Sequence, residues 1–262
     1  MKFLISWGVR LALAAGISVI SGLGFNSSSL ALPEPQVIQK LDQIPMFIIV
    51  NQEGDLVLVN PKTESNESTP KPGLIIFGDY NDALKMLDNL QTNNSNLQGN
   101  IQIIPISFGK VYEMLKELKE DPENTPPMIL YSEQEEVLAA EKLREGRGEN
   151  VEDLKKLGLP LFFVTTGQED DFIVKEDEAG KAFIPFYMDL KEAQADLEKY
   201  KQQFPNVSPQ EVKIQVIPLL SLIQVWLEKD EETIKIMEVI PSEQQVNEAN
   251  RLINNLQAKP SN

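Results

Sequence analysis

Ile101-Gln102-Ile103-Ile104-Pro105 returns as Ile214-Gln215-Val216-Ile217-Pro218, 113 positions further along the chain. Each copy reads as a buried strand closed by a proline, which has no N–H to give to a ladder. The likeness extends outward in both directions. Ile44-Pro45-Met46-Phe47-Ile48 corresponds to Leu159-Pro160-Leu161-Phe162-Phe163. Phe77-Gly78-Asp79, with Ala83 and Leu87, corresponds to the stretch that begins at Phe186 and ends at Asp189, with Ala193 and Leu197. Tyr131-Ser132 and Ile240-Pro241-Ser242 close the two parts. Self-similarity at a fixed distance constrains a fold more strongly than any local pattern. Two copies of so long a unit imply a pseudo-twofold protein, with a paired binding surface rather than one asymmetric catalytic cleft.

Each part carries the same order of elements. An amphipathic helix comes first, marked by Val37, Ile38 and Leu41, then again by Val151, Leu154 and Leu157. Residues 46–50 and 161–165 are continuous apolar runs, as expected of strands buried on both faces. Hairpin turns follow at residues 51–55 and 166–170, return strands at 56–59 and 171–174, and third strands at 74–77 and 182–187. Asp79 stands three residues before Asp82, and Asp189 three before Glu192. Both read as helix N-caps whose carboxylates accept backbone N–H bonds, rather than as catalytic acids. After the repeated Ile-Gln strands come helices around residues 110–115 and 224–227, then strands at 128–130 and 234–239. Ser132 with Glu135, and Ser242 with Gln245, have capping-box spacing for the closing helices. The class is therefore α/β (α+β), internally duplicated into two pseudo-symmetric halves, with a mixed β-sheet covered by helices. The halves run over residues 32–146 and 147–257, with the Gly146-Arg147-Gly148-Glu149-Asn150 stretch between them and a polar tail at 258–262.

Composition removes whole classes of function. The chain has no cysteine and no histidine. That excludes thiolate nucleophiles, thiolate zinc sites, disulfides and every histidine-based triad. No phosphate loop, serine elbow or metal motif is present, so the expectation is no catalytic residue, no metal and no cofactor. A hydrolase built on carboxylates alone would need two acids in one pocket with displaced pKa values, and the sequence offers no such pair. Glu169-Asp170-Asp171 with Glu176-Asp177-Glu178 is an acidic cluster without the spacing of a calcium loop, and reads as a solvated hairpin. Net charge is −16, and −18 when Lys2 and Arg10 are set aside with the N-terminal segment, which holds no acid. Such a surface repels nucleic acid and anionic lipid. It suits a soluble protein or one that docks on a basic partner.

The N-terminus reads as an export signal spanning residues 1–31. Lys2 opens a positive region, residues 11–25 are apolar, and Ser29-Leu30-Ala31 supplies small residues at the cleavage positions. Gly16, Ser18, Ser21, Gly22 and Gly24 break the apolar stretch, which argues against a permanent membrane anchor. Export to a periplasm or a thylakoid lumen, with no stable membrane insertion after cleavage, is the expectation.

Three aromatic residues lie near the strand–helix junctions after the repeated prolines: Phe108, Tyr112 and Trp226. They either pack helix against sheet or line one apolar groove per half that holds a segment of another protein. A pair of such grooves would bind unfolded chains with avidity.

Leu41-Asp42-Gln43-Ile44-Pro45-Met46-Phe47, the stretch 101–115, Leu157-Gly158-Leu159-Pro160-Leu161-Phe162-Phe163-Val164 and the segment 182–197 together resemble the Tic family of the 22-kDa subunit. That subunit is the intermembrane-space component of the chloroplast inner-envelope translocon, with relatives in cyanobacteria. The likeness covers residues 37–256, and the export signal points to the cyanobacterial branch. It implies a pseudo-symmetric fold with apolar pockets, a periplasmic location and no catalytic residues. It also implies a chaperone-like escort in protein transport and outer-membrane biogenesis. The implied partners are precursor or unfolded outer-membrane proteins and the periplasmic domains of the barrel-assembly protein. A different reading of the two halves is a periplasmic solute-binding protein, with a small ligand in a cleft between them.

Overall fold

In the computed structural model of the protein the described residues are 3–5, 31–59, 71–132, 134–152, 154, 159–167, 171–208, 211–229 and 231–258. Most of the expected export signal, the loop at 60–70, Glu169, Asp170, Leu157 and residues 259–262 lie outside them. Along the chain the strands are β1 (Phe3–Ile5), β2 (Pro45–Asn51), β3 (Leu58–Val59), β4 (Gly73–Phe77), β5 (Ile101–Ser107), β6 (Met128–Tyr131), β7 (Pro160–Thr166), β8 (Asp171–Glu176), β9 (Ala182–Tyr187), β10 (Lys213–Pro218) and β11 (Met237–Ile240). The helices are α1 (Glu34–Leu41), α2 (Tyr80–Asn93), α3 (Phe108–Glu120), α4 (Gln134–Glu145), α5 (Leu190–Gln203), α6 (Leu219–Glu228), α7 (Glu232–Lys235) and α8 (Glu243–Ala258).

The strands make two sheets, of five and six strands, so the protein is a mixed α/β fold. In the first sheet β2 runs antiparallel to β5, with register from Pro45–Ser107 to Asn51–Ile101. β4 meets β2 at Phe77–Phe47 and pairs in parallel with β6 from Leu74–Met128 to Phe77–Tyr131. The second sheet uses the same pairings. β7 runs antiparallel to β10, β9 meets β7 at Tyr187–Phe162, and β9 pairs in parallel with β11. β1, which lies inside the expected export signal of residues 1–31, adds to this sheet antiparallel to β8. The continuous apolar runs do sit in sheet interiors, since every residue of β7 and the five central residues of β2 are buried. One expected strand is shorter than its apolar pattern. Residues 232–235 turn into α7, with the Ile234 N–H on the Glu231 carbonyl at 2.9 Å and the Ile234 side chain fully buried, and the strand starts only at Met237.

Local chemistry sets the helix starts. The Asp79 carboxylate accepts from the N–H groups of Asn81 and Asp82 at 2.7 and 3.2 Å. Asp189 accepts from Lys191 and Glu192 at 2.6 and 3.3 Å. Both acids are N-caps, as their spacing requires. Ser242 accepts from the Gln245 N–H at 3.1 Å and starts α8. Ser107 caps α3 and also donates to Asp42 at 2.7 Å. A Cβ on Gly109 would lie 2.2 Å from that same Asp42 carboxylate, so a larger residue there would displace the Asp42 side chain from Ser107.

Two compact units result, and neither is one continuous stretch of sequence. One comprises residues 1–37 and 138–240, the other 38–137 and 241–262. The closing helices account for the interleaving. Ala140 of α4 is buried in the core with Phe162, Val164 and Tyr200 of the second sheet's unit. Ala249 of α8 is buried with Phe47, Ile49 and Ile103 of the first sheet's unit. The side-chain amide of Gln245 donates to the Pro45 carbonyl and fixes α8 along β2.

Candidate functional site

Phe108 is the first residue of α3, and its N–H donates to the Ile44 carbonyl at 2.8 Å. Its ring is 0% exposed. Trp226 lies near the end of α6 and is also 0% exposed, while its carbonyl accepts the Leu32 N–H at 3.0 Å. Both side chains are core in this structure, and they belong to different units. Tyr112, one turn beyond Phe108, is half-buried and is the one of the three with a face toward solvent. Truncating either fully buried ring to alanine would cost about 3–5 kcal/mol.

Open apolar surface lies elsewhere. Among the described residues eight large hydrophobic side chains are exposed, and seven of them are in the unit of residues 38–137 and 241–262: Leu56, Leu58, Leu84, Ile129, Tyr131, Ile253 and Leu256. Isolated exposed leucines are ordinary on a protein surface, and seven of these eight fall in one unit. The core beside them is loosely roofed. Val57, Tyr80, Met86, Leu87, Leu90, Leu97 and Leu252 pack against it only partly buried. Between β3 and the end of α2 this leaves an open groove of about 620 Å³. Val57, Leu58, Val59, Leu90 and Leu97 give it apolar walls, and Asn93, Asn94 and Asn96 an amide rim.

Sequence explains that geometry. Asn51 organises the β2–β3 turn, its Oδ1 accepting from the N–H groups of Glu53 and Asp55 at 2.9 and 2.8 Å. Gly54 takes the positive φ of +91° that closes it. α2 ends where the Asn94 N–H returns to the Leu90 carbonyl at 3.1 Å, and the Leu97 N–H to the Asn94 carbonyl at 2.9 Å. Among the described residues no charged side chain lines the groove, whose walls offer apolar groups and side-chain amides. Arg251 of α8 lies over the ring of Tyr80, the first residue of α2, at 5.3 Å, and Glu248 holds the guanidinium at 2.7 Å, raising the Arg251 pKa.

The other unit holds a buried polar cluster. Lys175 of β8 donates to Asp196 of α5 at 2.5 Å and to the Tyr187 hydroxyl of β9 at 3.0 Å. Both ion-pair partners are buried. Burial, and then the Asp196 charge, push the Tyr187 phenol far above its usual range, so it stays neutral. The cluster ties three elements together.

The surface residues escaped the sequence reading for a specific reason. Leu56-Val57-Leu58-Val59 and Met128-Ile129-Leu130-Tyr131 are continuous apolar runs. Such runs look like sheet interiors, and only neighbouring strands reveal an edge.

A model of the Tic22-like family matches residues 6–251. The chain belongs to the Tic22-like family. Its fold is similar to Anabaena Tic22, a protein-transport protein, with a TM-score of 0.66 at 18% identity, covering 88% of this chain and 100% of that one. It is also similar to Tic22 from Plasmodium falciparum, with a TM-score of 0.65 at 24% identity, covering 85% of this chain and 99% of that one. No curated protein sequence matched the chain. Among the described residues no helix is long and apolar enough to cross a membrane.

Proposed function

We propose that this Tic22-like protein is a non-enzymatic, chaperone-like escort in protein transport. It is exported by a cleavable signal to the periplasm or a thylakoid lumen. There it holds precursor or unfolded outer-membrane barrel proteins and passes them to the periplasmic domains of the barrel-assembly machinery. The observation that carries this reading is the gathering of seven exposed large hydrophobic side chains on one unit of a strongly acidic chain. Apolar surface of that kind takes up unfolded segments, and a high net charge keeps the loaded protein soluble. Family membership and the protein-transport role of Anabaena Tic22 support the same direction.

The test uses the mature protein titrated into an outer-membrane barrel protein diluted from urea, with aggregation followed by light scattering. An equally acidic inert protein is the control. Suppression near a stoichiometric ratio is expected. Scattering no lower than in the control would overturn the reading.

A further inference from the structure

Among the described strands, β6 pairs only with β4 and β11 only with β9, both in parallel. The two edges can be compared position by position. Phe77 and Tyr187 each face the opening strand of their sheet, at Phe47 and Phe162. Counting back, Ile75 corresponds to Pro185, and their partners Ile129 and Glu238 correspond to each other. Glu238 is charged and paired with Lys181 at 2.9 Å. A charge on an edge strand is a known guard against the addition of a further strand. At the same place β6 has Ile129, 37% exposed, followed by Tyr131, 41% exposed. Met237 and Val239 are buried, whereas Met128 and Leu130 are only half-buried.

The backbone of β6 is also directed for pairing. The N–H groups of Leu74 and Gly78 donate to the carbonyls of Pro127 and Tyr131, each at 2.8 Å. Parallel alternation then turns the N–H and C=O groups of Met128 and Leu130 away from β4, to the side where no described strand lies. The strand contains no proline, glycine or charge that would blunt it.

We propose that the outer edge of β6 receives an added strand: an extended apolar segment of another polypeptide, flanked by lysine or arginine. Charge selects this occupant. Asp121 and Glu123 are exposed just before the strand, and Glu135 is exposed just after it in the first turn of α4. A second copy of a chain with net charge −16 would bring more acid to the same place. Main-chain bonds give such a complex its affinity, and Ile129 and Tyr131 receive the side chains of one face. The proposal rests on the reading that the protein binds unfolded polypeptide, and names where one segment docks.

A labelled peptide of roughly ten residues, alternating valine and threonine between terminal lysines, tests this by fluorescence anisotropy against the mature protein. Its twin, N-methylated at the central residues, keeps the side chains and loses the donors. The parent should bind, and the twin should bind at least about tenfold more weakly, the loss expected for two backbone bonds. Ile129→Lys should weaken the parent by a similar factor, and Glu238→Ala should not. Equal binding of the two peptides, with barrel aggregation still suppressed, overturns the edge site and leaves the escort reading standing. Discrimination between the peptides without suppression keeps the edge site and removes the escort reading. Failure of both assays removes both.

Discussion

The two sheets share a pairing scheme but differ in how their apolar side chains are covered. Among the described residues, 29 buried hydrophobic side chains lie in the unit of residues 1–37 and 138–240, which holds the second sheet, and 16 in the unit of 38–137 and 241–262, which holds the first. β11 carries Glu238 on its edge, whereas β6 carries Ile129. A shared pairing scheme therefore goes with different covering: one unit holds a buried ion pair, and the other presents most of the exposed large hydrophobic side chains. Stability and binding should respond to mutation in different halves of the sheet scheme.

The largest expected effect is on the closed side. Lys175→Met should destabilise the protein by about 3–5 kcal/mol, because it leaves the Asp196 carboxylate buried without its cation. Urea unfolding measures this, and the added change Asp196→Leu should recover a large part of it. The same cluster sets a pH limit. A phenol whose folded pKa is raised stabilises fully below its unfolded value, 10.0, and loses that stability as pH rises beyond it. Alkaline melting should thus steepen above about pH 10, and Tyr187→Phe should flatten it. An unchanged slope in that variant would show that Tyr187 does not limit alkaline stability.

On the open side, replacing Leu58, Ile253 and Leu256 together by serine should weaken suppression of barrel aggregation about tenfold, or ~1.4 kcal/mol. Unfolding free energy should change by less than about 1 kcal/mol, since these side chains are already wet. A large loss of stability with intact suppression would reverse the assignment of the two units. Smaller and equal effects are expected at the caps. Asp79→Ala and Asp189→Ala should each cost about 1 kcal/mol, and a clear inequality in urea melts would show that one cap has a further role. Smallest of all, Lys181→Ala should change stability by less than about 0.5 kcal/mol, because its pair with Glu238 is solvent-screened. A larger loss would mean that the β11 edge depends on the pair structurally.

Much of the fold was legible in the chain because it rests on local chemistry. Asp79 and Asp189 sit where short carboxylates satisfy free helix amides. Proline at 45, 105, 160 and 218 stands at or near strand ends in both sheets. The open apolar surface was less legible. Phe108 and Trp226 are large and aromatic, which suits a groove and a core equally, and both are fully buried in the fold. Leu58 and Ile129 are exposed although their local pattern is that of buried strand, because edge position is a property of the whole sheet.

Most of the order of elements, the caps at Asp79, Asp189 and Ser242, and the acidic, cysteine- and histidine-free chemistry can be read along the chain. These follow from interactions within a few residues or from composition alone. Tertiary structure decided that α4 closes the core of the second sheet and α8 that of the first. Ala140 and Ala249 present similarly small apolar faces, which either sheet could receive. It also decided which sheet would be left with open apolar surface, since burial is set by what packs against a side chain and not by the side chain itself.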